Sequence, residues 1–199
     1  MGKLMTGGQA AVEALRAEGT SHVFGLIGSA TMELFDALYD ASDIKMIGVH
    51  DERTGTHMAD GFARASGQAG VVLAGQNGPG VTNLVTGLAQ AKAAFSPVVS
   101  IGGMLAQGHI YRDAFQEVDQ QALLTPVTKK TWTVPSAERV PELMREAFRH
   151  VRHELPVGVD LILIPRQNSG ATVENYKRSL KRICRRLLKR LPPPVTSQD

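Results

Sequence analysis

The run His50-Asp51-Glu52 stands where a short apolar segment gives way to a helical pattern. A carboxylate at such a junction meets the positive end of the helix dipole and the unpaired N–H groups of the first turn. Capping the helix is one use for it. The other is a carboxyl group held at the edge of a ligand cleft. A second run, Gly75-Gln-Asn-Gly-Pro-Gly80, also joins an apolar segment to a helical one. Its glycines let the backbone come close to a ligand and Pro79 fixes one turn, although a plain strand-to-helix turn uses the same residues. No Gly-Lys-Ser/Thr follows, so it is not a Walker loop. Gly25-Leu-Ile-Gly28 does not fit Gly-x-Gly-x-x-Gly, which gives little support to nicotinamide binding.

The remaining reactive side chains form no recognisable site. His22, His50, His57, His109, His150 and His153 lack metal-ligand spacing, and the pair His150 and His153 suits the dipole at the end of a helix. Ser29, Ser96 and Ser100 sit in no Gly-x-Ser-x-Gly elbow. Cys184 is the single cysteine, so neither an internal disulfide nor a multi-cysteine zinc site can form. Seven scattered methionines read as core filler.

The elements that must position the His50–Glu52 run and the Gly75–Gly80 loop alternate along the chain. Strands are expected over His22–Ile27, Ile44–Val49, Gly70–Ala74, Pro97–Ile101, Val127–Val134 and Val159–Ile164. Helices are expected near Thr6–Glu18, Thr31–Tyr39, Thr54–Ser66, Val81–Ala94, Gln116–Leu124 and Ala137–His153. In the first helix Ala11, Ala14 and Leu15 share a face, with Thr6 as N-cap. VVLAG and DLILIP do not alternate, as befits strands buried on both faces. The alternation predicts an α/β fold: an open, mostly parallel, doubly wound sheet with helices on both faces. Ligands in such sheets sit beyond the carboxyl ends of the strands. The loops Gly25–Ser29, Val49–Glu52 and Gly75–Gly80 lie there, followed by the long loop Gly102–Tyr111.

Hydrophobic residues are 43% and charged residues 21% of the 199, the composition of a globular chain rather than a disordered or collagenous one. No apolar run approaches the roughly 20 residues of a membrane span. The start turns polar and acidic too soon for a secretory signal, so a cytoplasmic location is expected. The net charge of +3 hides an asymmetry, because residues 177–199 carry eight basic residues and one acid, leaving residues 1–176 at −4. Leu180, Ile183, Cys184, Leu187, Leu188 and Leu191 repeat at helical spacing there, with basic residues opposite and Pro192–Pro194 as a stop. The division expected is therefore a domain over residues 1–166 and a tail over 167–199 containing a C-terminal basic amphipathic helix. That helix either packs its apolar stripe on the domain or contacts nucleic acid, a membrane or an acidic partner.

Taken in order, VFGLIGSA, VHDERTGTHMADGFARASG, AGQNGPGVTNLVTGLAQA, DAFQEVDQ and DLILIPR resemble segments of thiamine-diphosphate enzymes. Residues 4–166 are similar to the N-terminal, pyrimidine-binding domain of the acetolactate synthase group. GQNGPGVTN and FQEVDQ lean toward sulfoacetaldehyde acetyltransferase. Where acetolactate synthases have Ser-Gly-Gln-Val-Pro, this chain reads Ser100-Ile-Gly-Gly-Met104, which bears on the substrate more than on the cofactor.

The resemblance implies a catalytic role for Glu52. The family's carboxyl at this position hydrogen-bonds the aminopyrimidine nitrogen of thiamine diphosphate and favours the imino tautomer that deprotonates the thiazolium carbon. For that work it shares or holds a proton. The resemblance also places Gly28, Gly78, Pro79, Gly80 and Asn83 in cofactor-facing loops, and Phe115 and Gln116 near the substrate. It implies decarboxylation of a small 2-oxo acid with carboligation or acetyl transfer. Gly-Asp-Gly followed by Asn-Asn, which in the family holds Mg2+ and the diphosphate, is absent from the sequence. Those groups are therefore expected on another domain, in a homo-oligomer or on a separate diphosphate-binding subunit, with this chain inactive alone. A truncated enzyme, a split-gene subunit and a retired homologue all fit that expectation. The rival reading is a non-catalytic binding module that retains the fold and uses the basic helix.

Overall fold

The computed structural model describes residues 4–152. The expected strand over 159–164, the residues on either side of the 166/167 boundary and the basic helix lie outside the described residues. Four strands form one parallel sheet: β1 (His22–Leu26), β2 (Lys45–Gly48), β3 (Gly70–Ala74) and β4 (Val98–Gly102). Their order is β2-β1-β3-β4, with Val23 beside both Met46 and Val71, and Val71 beside Val99. The chain leaves β1 toward one side to build β2, then returns to build β3 on the other. The switch point therefore lies between β1 and β3, and the carboxyl ends of these strands are where sheets of this kind bind their ligands.

Alternate side chains of the central strands enter two cores. Val23, Val71 and Leu73 pack with α1 (Gly7–Ala17), α2 (Met32–Tyr39) and Phe148 of α7 (Val140–Arg152). Phe24, Val72 and Ala74 pack with α3 (Glu52–Ser66), α4 (Pro79–Thr82) and α5 (Leu84–Ala93). All of β3 is buried, which accounts for the unbroken apolar run in its sequence. Ala11, Ala14 and Leu15 are buried as their spacing predicts, and Thr6 caps α1 in a capping box with Gln9. Fully burying a Leu15 or a Val23 contributes about 1.5–3 kcal/mol, more than the ~1 kcal/mol of the cap. The doubly wound α/β fold thus stands, held by two-sided burial of β1 and β3.

Several boundaries differ from expectation, each for a local reason. Helix α3 begins at Glu52 rather than Thr54, because Asp51 accepts the Arg53 N–H and starts the helix there. The stretch 81–94 is divided at Asn83 into α4 and α5. The helix expected from Gln116 begins only at Gln120, as α6 (Gln120–Leu124). Gln116 has φ 61°, a left-handed conformation that no α-helix continues, and Asp119 supplies the cap. The expected strand Val127–Val134 is not formed: a 3-10 turn spans Thr125–Val127 and irregular chain follows. Its β-branched residues favour extended backbone, but a strand also needs a neighbouring ladder, and no described strand pairs with it. Among the described residues no helix is long and apolar enough to cross a membrane.

Candidate functional site

Two carboxylates begin α3, and they divide the two uses that the sequence left open. Asp51 is the N-cap, its Oδ1 accepting the Arg53 N–H at 2.8 Å. Glu52 is therefore not needed for capping, and its side chain turns inward to 4% exposure. Asn83 Nδ2 donates to Glu52 Oε2 at 3.0 Å. Asn83 is itself placed by its N–H bond to the Pro79 carbonyl, at the junction of α4 and α5. Glu52 Oε1 takes no hydrogen bond among the described residues and lies over Gly80, where an added Cβ would stand 3.2 Å away. A buried carboxyl with one oxygen anchored and the other bare can exchange a proton with a group brought against it.

The wall beside Glu52 is built from backbones in contact. A Cβ on Gly28 would come 2.4 Å from the Gly75 carbonyl carbon, and one on Gly75 would come 2.1 Å from the Gly28 nitrogen. The loops after β1 and β3 can cross this closely only with glycine at both places. Gly78 has φ +58°, and a Cβ there would meet the Gln116 carbonyl oxygen at 2.2 Å. Asn77, 5% exposed, donates from Nδ2 to the carbonyls of Phe115 at 3.1 Å and Gln116 at 3.0 Å. Gln76 Nε2 donates to Gln116 Oε1 at 2.8 Å, and Ser29 Oγ donates to Gln76 Oε1 at 2.8 Å. On the far side, the Glu117 carboxylate accepts the N–H groups of Tyr111, Ala114 and Arg112. Those bonds hold it below the usual carboxylate range.

Residues singled out from the sequence thus fall into two neighbouring groups. Glu52, Gly80 and Asn83 form one, with Pro79 opening α4 beside them. Gly78, Phe115 and Gln116 form the other, and Gly28 joins through Gly75 and the Ser29–Gln76 bond. Gly80 lies between the groups, its added Cβ falling 3.2 Å from both Gln76 Cβ and Glu52 Oε1. Sequence reasoning missed Gln76, Asn77, Ser29 and Glu117 as the residues that hold the second group. It also missed Asp60, which is 2% exposed and binds Arg64 and Gln90. Burial pushes the Asp60 carboxyl up, but bonds from Arg64, Ser96 and Gln90 outweigh it and hold the group below its ordinary value. Glu52, Gly55, Thr56, Ala59, Asp60 and Ala63 are the buried face of α3, so helical spacing was a signal that could have found Asp60.

A parallel sheet with glycine loops crossing at its switch point and a buried acid opening the next helix is an architecture for binding a cofactor. The family model "Thiamine pyrophosphate enzyme, N-terminal TPP binding domain" matches residues 5–123, and the chain belongs to that family. It is 46% identical over 144 residues to a "Probable acetolactate synthase large subunit" of Methanocaldococcus jannaschii, covering 72% of this chain and 24% of that one. It is 38% identical over 162 residues to an "Acetolactate synthase" of Mycobacterium bovis, covering 81% and 26%. With an "Acetolactate synthase large subunit" of Haemophilus influenzae it shares 39% identity over 146 residues, covering 73% and 25%. The chain spans about a quarter of the length of these relatives.

Proposed function

We propose that this chain supplies the pyrimidine-binding half of a thiamine-diphosphate site acting on a small 2-oxo acid, by decarboxylation with carboligation or acetyl transfer. The observation that carries the reading is Glu52: buried, anchored at Oε2 by Asn83 and bare at Oε1. The residues present fit the pyrimidine half, since the missing side chain of Gly80 leaves Oε1 uncovered. When bound, thiamine diphosphate supplies an acidic thiazolium carbon and an electron sink. Glu52 would hold a proton against a pyrimidine nitrogen. Asn83 would fix the orientation of its carboxyl, and Gly28, Gly78, Pro79 and Gly80 would keep the wall low enough for a ring to approach. Phe115 and Gln116 would face the substrate.

Mg2+ and the diphosphate are assigned to another domain, on a second copy in a homodimer or larger assembly or on a separate subunit, in the cytoplasm. The names of these relatives, acetolactate synthases, support the acetolactate synthase-like reaction class of a transferase or lyase. The test is hydrogen exchange at the thiazolium carbon in the enzyme assembled with its diphosphate-binding domain. Glu52→Gln is expected to slow that exchange by about 10²–10⁴-fold while leaving the fold intact. Exchange at a near-normal rate would overturn the assignment.

A further inference from the structure

Three side-chain amides in succession join the loop after β3 to the turn at Phe115–Gln116, and their polarity is not free. Asn77 faces the backbone carbonyls of Phe115 and Gln116, at 3.1 and 3.0 Å. A carbonyl only accepts, so the Asn77 atom facing them is the NH2 group, and Oδ1 is left at its other end. Oδ1 meets Gln76 at 3.0 Å, so the Gln76 atom there must donate and is Nε2. The same Nε2 meets Gln116 at 2.8 Å with its second hydrogen, so the Gln116 atom facing it must accept and is Oε1. Ser29 closes the chain by donating to Gln76 Oε1 at 2.8 Å. Every step is forced from the two backbone carbonyls outward. The free end of the chain is the NH2 group of Gln116, which donates to no other described residue. The turn cannot easily shift to change this, because Gly78 packs against the Gln116 carbonyl.

We propose that Asn77 and Gln76 are positioning residues that fix Gln116 as a hydrogen-bond donor toward the substrate. This rests on the reading that Gln116 faces the substrate. A glutamine free to rotate offers donor and acceptor equally. One locked by the buried Asn77 and the half-buried Gln76 rejects a substrate that brings a donor and favours one that brings an acceptor oxygen.

Gln76→Glu tests the chain of amides by reversing it. A carboxylate at 76 donates to neither Asn77 nor Gln116, so Gln116 must turn its NH2 group inward. Gln76→Met, uncharged and of similar volume, breaks the same bonds and separates polarity from charge. The first readout is hydrogen exchange of side-chain NH2 groups by NMR on the chain itself. In the unsubstituted protein the amides of Asn77 and Gln76 are expected to exchange roughly tenfold or more slowly than that of Gln116. Gln76→Glu is expected to transfer protection to Gln116.

The second readout is KM for pyruvate in the enzyme assembled with its diphosphate-binding domain. It is expected to rise roughly 10- to 100-fold in Gln76→Glu and less in Gln76→Met, with thiamine diphosphate affinity changed less than about twofold. Rapid exchange at Gln76 in the unsubstituted protein, or an unchanged KM in both variants, would overturn the inference. Failure of the unsubstituted assembly to bind thiamine diphosphate would instead refute the proposed function, and the protection pattern in the chain would still stand.

Discussion

Asp60→Asn keeps the shape of the side chain and removes the charge that holds Arg64 of the same helix and accepts Gln90 of α5. The carboxylate accepts Arg64 Nε at 2.9 Å and Nη2 at 2.7 Å, and Gln90 Nε2 at 3.0 Å. An amide in its place turns one NH2 group toward these donors. Removing a partner from a fully buried pair costs about 3–5 kcal/mol, but the Arg64 side chain is 48% exposed and regains water. The expected loss is therefore about 2–3 kcal/mol. Urea unfolding at neutral pH should read this as a midpoint roughly 1 M lower. The acid limb supplies a second check. The folded-state carboxyl lies below its ordinary value, so its contribution is complete above about pH 4 and is lost as pH falls through the folded-state value. Stability in Asp60→Asn should accordingly fall less steeply below about pH 4 than in the unsubstituted chain. An unchanged midpoint together with an unchanged acid limb would refute the account of Asp60 as a buried anchor for Arg64 and for Gln90 of α5.

Gly78→Ala forces a side chain into a left-handed conformation and against the Gln116 carbonyl, and should destabilise by about 2–4 kcal/mol in the same urea experiment. Glu117→Gln removes the charge that gathers the N–H groups of Tyr111, Arg112 and Ala114. Chymotrypsin should then cleave faster at Tyr111 and Phe115, which are 96% and 78% exposed, with the midpoint of global unfolding little changed. The Glu117 carboxyl lies below its ordinary value, so lowering the pH through that value should bring faster cleavage of the same loop in the unsubstituted protein, read with pepsin, which works in acid. Thr6→Ala removes half of a capping box and should cost about 1 kcal/mol, measured by thermal or urea unfolding.

The parts of the fold legible in the sequence are those set by burial. GVVLA could hardly be anything but a strand covered on both sides, and the periodic Ala11, Ala14 and Leu15 had to face a core. Glu52 was visible as a residue type at a strand-to-helix junction. Its freedom was not, because only the structure shows that Asp51 performs the capping. Val127–Val134 misled because propensity describes one chain, whereas a ladder needs two. The amide chain of Ser29, Gln76, Asn77 and Gln116 was hidden because its bonds span up to 47 residues and follow no local period. Gln116 misled in a different way: a good helix former was held left-handed by contacts from the β3 loop. Asp60 was legible in principle, as the acid on a helix face otherwise built from Gly, Ala and Thr beside Glu52.

The division of labour between Asp51 and Glu52 has an evolutionary consequence. Nothing in the stability of α3 requires a glutamate at position 52, since the helix is capped without it. A buried carboxyl with one hydrogen bond is a burden on folding, and a neutral amide there should fold at least as well. Selection for a stable chain would therefore let position 52 drift. A lineage that gave up the chemistry could lose the acid while keeping its shape, and what keeps a glutamate there must be found in the reaction rather than in the scaffold.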